Sequence, residues 1–171
     1  MSQLPVQVVD DTDLPLRGAR KQEVWSKGLR HRVVRIMIED EQGSILLQKR
    51  VSTKELFPDC WDNSVAGHVD EGEYYPTAAK RELAEEIGLE GVRLTEIKHY
   101  ISDGAYEHRI LKRWTTLYKA IIPRSTVLEL KKDEVSEVQW VSREKLSEMV
   151  TNQQSIVTDG LAEAYDILYK P

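Results

Sequence analysis

Apolar positions along the chain follow two rhythms. Residues 32–39, Arg-Val-Val-Arg-Ile-Met-Ile-Glu, are rich in β-branched side chains and predict a strand. Asp40-Glu41-Gln42-Gly43 predicts a turn, and residues 44–50 the returning strand of a hairpin. Residues 64–66 predict a short strand. Residues 92–102 and 112–122 predict two longer ones, with a turn at Asp103-Gly104-Ala105 and a stop at Pro123. The charged residues 129–137 read as a loop, and residues 138–141 as a short strand.

A period near 3.6 appears elsewhere. Pro76, Ala79, Leu83 and Ile87 form one apolar stripe. Proline is tolerated in a first turn and glycine can take the left-handed conformation that ends helices, so this helix runs from Tyr75 or Pro76 to Gly88. Residues 23–27 predict a short helix closed by Gly28. Ser142 is placed to cap a helix reaching about Val150. Thr158 is placed to cap a last one, with Leu161, Ala164, Tyr165 and Leu168 on one face. Near the start, residues 7–9 predict a strand and residues 10–13 a turn, in an N-terminal extension, 1–27, that packs on the domain. Strands interleaved with helices predict an α/β chain: a mixed sheet covered on both faces.

The central helix carries the chemistry. Glu82, Glu85 and Glu86 stand at i, i+3 and i+4, on the face beside the apolar stripe. Three like charges so close destabilise a helix unless something offsets them. A hard divalent cation does so: Mg²⁺ or Mn²⁺ prefers oxygen ligands, and Mg²⁺ commonly joins carboxylates to phosphate oxygens.

Composition then narrows the setting. Lys+Arg 24 against Asp+Glu 29 leaves a net charge of −5 in 171 residues, without the basic character of a nucleic-acid binder. Cys60 is the only cysteine, so no internal disulfide forms, which fits a reducing cytoplasm. No signal peptide is visible at the start, and no apolar run approaches the length of a membrane span. One domain over residues 1–171 is expected, as a monomer or a homodimer.

The string from Gly67 to Leu89 resembles the Nudix box, G-x5-E-x7-R-E-U-x-E-E-x-G-U with U a bulky apolar residue. Gly67, Glu73, Arg81, Glu82, Leu83, Glu85, Glu86, Gly88 and Leu89 fill its defined positions. The resemblance implies the Nudix fold, an α/β/α sandwich, and hydrolysis of a nucleoside diphosphate linked to another moiety, or of a related diphosphate. It implies metal binding by Glu82, Glu85, Glu86 and the Gly67 carbonyl, and a pairing of Arg81 with Glu73 that fixes helix to loop. It also implies a general base, either a box glutamate or a glutamate on a later loop, where Glu134 and Glu137 stand.

Residues before the box resemble isopentenyl diphosphate isomerase and bacterial Nudix hydrolases close to it. The likeness rests on Leu46-Leu47-Gln48-Lys49-Arg50, Lys54, residues 57–68, and Gly28-Leu29-Arg30-His31-Arg32. By that resemblance Arg50 and Lys54 clamp the diphosphate, and His31 and His68 occupy the places of two metal-binding histidines. Arginine offers a planar fork and lysine a mobile point charge, a suitable pair for two bridged phosphates. His99 and His108 have no such context and read as surface or strand residues. Two departures favour hydrolysis over isomerisation. Ala66 stands where the isomerase has a cysteine, and Lys112 or Arg113 where it has an acid. The alternatives are an isomerase-like enzyme and a non-catalytic diphosphate-binding protein. Trp61, Tyr74, Tyr75, Tyr106 and Trp114 are candidates to stack on a base or cover a lipid tail, or else to fill the core.

Overall fold

The computed structural model describes residues 4–152 and 156–171. Among them are ten strands and four helices. The strands are β1 (Val6–Val9), β2 (Pro15–Ala19), β3 (Arg30–Glu39), β4 (Ile45–Arg50), β5 (Trp61–Asp62), β6 (Val65–His68), β7 (Thr95–Ile101), β8 (Gly104–Tyr106), β9 (Arg109–Ile121) and β10 (Val135–Val141). The helices are α1 (Lys21–Lys27), α2 (Tyr75–Ile87), α3 (Arg143–Asn152) and α4 (Asp159–Leu168).

β3 is the axis of the mixed sheet. One of its edges pairs parallel with β9 along its whole length, from Arg30 with Lys112 to Glu39 with Ile121. The other edge is shared antiparallel by β1, β6 and β4 in turn. Strand alternation then sorts the core. Val34, Ile36 and Ile38 pack with Ala79, Leu83 and Ile87 of α2. Met37 and Leu117 pack on the opposite side with Leu146 of α3 and Leu161 and Ala164 of α4. The result is the expected α/β/α sandwich.

Helix α2 keeps its expected limits. Gly88 ends it at φ 71°, and a Cβ there would lie 2.8 Å from the Cβ of Glu129, so conformation and space both require glycine. Ser142 accepts from the Lys145 amide, and Thr158 from the Leu161 amide, as the caps predict.

Several expectations need correction. The turn placed at residues 103–105 is not one. Gly104 and Ala105 lie in β8, which pairs with Arg109–Leu111, and the chain reverses at Glu107 and His108. Glu107 takes the left-handed conformation itself, at φ 52°. Asp103 instead receives Arg30 and the Arg113 amide. The strand expected from residue 92 starts at Thr95, and the one expected from 112 starts at Arg109. β10 begins inside the expected loop at the buried Val135, behind a bulge before Glu137. β2 and β5 carry no alternating apolar pattern and were not foreseen.

The N-terminal extension is woven into the sheet rather than laid on it. β1 pairs with β2 and touches β3 at His31. It also holds the loop that follows β6: the Gln7 amide donates to the Val69 carbonyl, and the Glu71 amide to the Pro5 carbonyl. Asp13, at φ 66°, accepts from Arg32, from the Tyr75 hydroxyl at the start of α2, and faces His99 Nε2 at 3.1 Å.

Candidate active site

A cavity of about 530 Å³ opens where α2, β6, α1 and the N-terminus of α4 meet. Its wall includes Glu82, Glu85 and Glu86 together with Arg50 and Lys54. The box therefore converges on one concave surface.

Arg81 holds the box together. Its Nε and Nη2 donate to the two oxygens of Glu73 at 3.0 and 2.9 Å, and Nη2 also to the His68 carbonyl at 2.9 Å. Its Nη1 donates to Glu82 at 2.7 Å and lies 3.5 Å from Glu85. The bidentate Arg81–Glu73 pair thus pins α2 to the loop after β6.

Gly67 is a matter of space. A Cβ on it would fall 2.1 Å from the Glu82 carboxyl, which lies directly against the Gly67 backbone. Glu86 is buried and accepts from Gln48 Nε2 at 2.9 Å and from the Ala66 amide at 3.3 Å. Burial raises Glu82 to about 7, with Arg81 opposing it, and burial also raises Glu86 well above the usual carboxylate range, where the charges of Glu82 and Glu134 add to the effect. Among the described residues, no group of three or more His, Cys, Asp or Glu side chains is arranged to hold a metal ion by itself. Arg81 and Gln48 hold the carboxylates instead.

Of the two loop glutamates, Glu134 lines the cavity, whereas Glu137 pairs with Lys49 at 3.4 Å and is not among the lining residues. Lys54 donates to Glu134 at 2.7 Å, and Lys131 lies 2.9 Å from its other oxygen. Burial opposes ionisation of Glu134, yet these two ammonium groups hold it at about 2. Arg50 donates through Nε to the Leu56 carbonyl and through Nη1 to Asp62, both at 3.0 Å.

His31 and His68 stack with ring centroids 5.3 Å apart, and the His68 ring lies 6.1 Å from that of Trp25. Both histidines line the cavity. Burial lowers His31 to about 4, with the Leu29 carbonyl opposing, and lowers His68 well below its ordinary value. The rings are therefore neutral near pH 7. Arg113, not Lys112, reaches the cavity, and its Nη2 is 2.5 Å from Asp159.

The five aromatics singled out from sequence are absent from the wall. Tyr74 is exposed, Tyr75 bonds Asp13, Tyr106 packs on Phe57, Trp114 stacks on His99, and Trp61 joins the core beside α4. Trp25 and Phe57 are there instead. Trp25 belongs to a short helix in the extension, and nothing in the local pattern tied that helix to the box.

The chain matches known proteins in the same terms. Residues 29–160 match the NUDIX domain. An isopentenyl-diphosphate Delta-isomerase of Photorhabdus laumondii is 31% identical over 88% of this chain and 84% of its own. The Nudix hydrolase YfcD of Escherichia coli K12 is 30% identical over 83% of this chain and 76% of its own. Among solved structures, DR0079 of Deinococcus radiodurans superposes with a TM-score of 0.78 at 21% identity, covering 96% of this chain and 99% of its own. The NUDIX domain of NrtR from Shewanella oneidensis, solved with ADP ribose, gives 0.56 at 18% identity over 68% of this chain and 75% of its own. With the box complete, its arginine paired and its glutamates gathered on one cavity, the chain belongs to the Nudix family of pyrophosphohydrolases.

Proposed function

We propose that this protein is a Mg²⁺-dependent hydrolase that cleaves the diphosphate linkage of a nucleoside diphosphate derivative or a related diphosphate. The observation that carries the reading is the gathering of Glu82, Glu85 and Glu86 with Arg50 and Lys54 on the wall of one cavity. The carboxylates supply the hard oxygen donors that Mg²⁺ or Mn²⁺ takes. The absence of a side chain at Gly67 lets the Glu82 carboxyl lie against the backbone, so the carboxylates, completed by phosphate and water oxygens, fit such an ion. Bound there, the cation would offset diphosphate charge and lower the pKa of a water ligand.

The chain's own groups do the rest. Arg50 and Lys54 face the phosphates and offset the charge that develops on them. Lys54 exchanges its bond to Glu134 for one to a phosphate oxygen. Water attacks one phosphorus, the bridging P–O bond breaks, and the leaving phosphate carries away the electron pair. A carboxylate of the set Glu82, Glu85, Glu86 and Glu134 receives the water proton. Arg81 and Glu73 act by holding α2 in place. The test is phosphate or nucleoside monophosphate release from ADP-ribose, dinucleoside polyphosphates and prenyl diphosphates, with Mg²⁺ and with chelator. No turnover of any of them with Mg²⁺ would return the protein to the non-catalytic alternative. A cytoplasmic monomer or homodimer fits this reading, and no helix among the described residues is long and apolar enough to cross a membrane.

Arg50→Ala and Lys54→Ala should each weaken diphosphate binding by about 1.5–3 kcal/mol, the usual worth of a hydrogen bond to a charged group. Calorimetry with methylenediphosphonate reads this directly. Unchanged affinity in both variants would remove the clamp from the reading.

The stacked His31 and His68, together with the similarity to the isomerase, favour isomerisation as a second reading. Moving a double bond needs an acid to protonate carbon and a base to remove a proton. By the resemblance, Ala66 has a methyl group where that acid would be and the second place falls to a cation, Lys112 or Arg113, of which Arg113 is tied to Asp159. We expect no deuterium uptake at the allylic carbons of isopentenyl diphosphate in D₂O with Mg²⁺. Uptake above the enzyme-free rate, abolished by chelation, would make isomerisation the preferred function.

A further inference from the structure

Asp62 is a buried carboxylate that belongs to neither the box nor the clamp, yet it lies against the clamp arginine. Its Oδ2 accepts from Arg50 Nη1 at 3.0 Å. Its Oδ1 accepts from the Asn63 amide and from the Thr158 hydroxyl, each at 2.8 Å. Thr158 is the N-cap of α4: the same hydroxyl oxygen accepts from the Leu161 amide at 3.1 Å, and the Thr158 amide donates to the Trp61 carbonyl at 2.9 Å. Both residues line the cavity. The hydrogen bonds therefore run without a break from the α4 cap, through Asp62, to the guanidinium.

We propose that Asp62 and Thr158 are positioning residues for the phosphate contact made by Arg50, and that the α4 cap sets the orientation of the Arg50 fork. The proposal rests on the reading of Arg50 as a phosphate ligand. A guanidinium recognises phosphate through a flat, directional pair of donors, so its plane matters as much as its charge. In this site Leu56 and Asp62 fix Nε and Nη1, and Nη2 bonds none of the described residues. An unrestrained arginine would have to order its side chain on binding, at a cost in affinity.

The sign of the effect separates this role from simple electrostatics. Replacing Asp62 by asparagine removes a negative charge beside the phosphate subsite. Field alone would then tighten an anion. Loss of orientation weakens it. Thr158→Val removes the hydroxyl without changing charge, whereas Thr158→Ser keeps it.

The experiment is calorimetric titration of each variant of the full chain with methylenediphosphonate and Mg²⁺, within a double-mutant cycle with Arg50→Ala. Asp62→Asn and Thr158→Val should bind about 5- to 20-fold more weakly, with Thr158→Ser within about twofold of the parent. In the Arg50→Ala background the Asp62→Asn loss should vanish, which a structural defect would not do. Tighter binding by Asp62→Asn, or losses that persist in the Arg50→Ala background, would overturn the proposal. If Arg50→Ala itself binds normally, the clamp reading fails first and this inference falls with it. If Arg50→Ala binds weakly while Asp62→Asn and Thr158→Val bind normally, only the positioning role fails.

Discussion

Glu85→Gln and Glu86→Gln are each expected to lower kcat at least about 100-fold with the fold intact, the usual scale for losing one main electrostatic stabiliser. The swap is nearly isosteric. At Glu86, the glutamine oxygen can still accept from Gln48 and from the Ala66 amide. The loss is one formal charge and one hard ligand, in a place where burial already disfavours that charge. The check is turnover under saturating Mg²⁺ beside a circular dichroism spectrum. Near parental turnover in both variants would show that these carboxylates hold no catalytic cation.

Gly67→Ala should be nearly as damaging for a different reason. The new methyl would claim the space of the Glu82 carboxyl, 2.1 Å away, and the flexible end of that side chain would move before the sheet does. Glu82 then leaves both its Arg81 bond and the donor set. The expected result is a kcat about 100-fold lower with a stability cost of only about 1 kcal/mol, the net worth of a typical hydrogen bond. Measured thermal unfolding and kcat together decide it. Full activity would mean that Glu82 reaches its partners from another rotamer.

These two effects show what was legible in the sequence. Helix α2 could be read in full, because its apolar stripe, Pro76 and Gly88 are local signals and the box fixes residue spacing. The pairing of Arg81 with Glu73 followed from the resemblance, and the geometry supplies it. Contacts distant along the chain left no such trace. Asp62 sits in a two-residue strand, and its partners Arg50 and Thr158 come from β4 and the cap of α4. Trp25 reaches the cavity only because β1 and β2 carry α1 to the edge of β3. The turn at Glu107 escaped because an ordinary residue adopts the left-handed backbone there, while the adjacent Gly104 offered a more obvious signal.

The parallel pairing of β3 with β9 has a consequence for synthesis. Each partner in that ladder lies about eighty residues beyond its mate. At roughly 5–20 residues per second on the ribosome, about 4–16 s separate their emergence. Through that interval β3, with Val33, Val34, Ile36, Met37 and Ile38 in sequence, has one edge and much of its apolar surface without their final cover. A nascent chain of this protein is then expected to bind a holdase chaperone until β9 has left the tunnel. Protease protection of β3 in stalled chains should appear only at lengths that put Ile121 outside the tunnel; protection in chains whose emerged part ends before Arg109 would show that another element shelters β3 first.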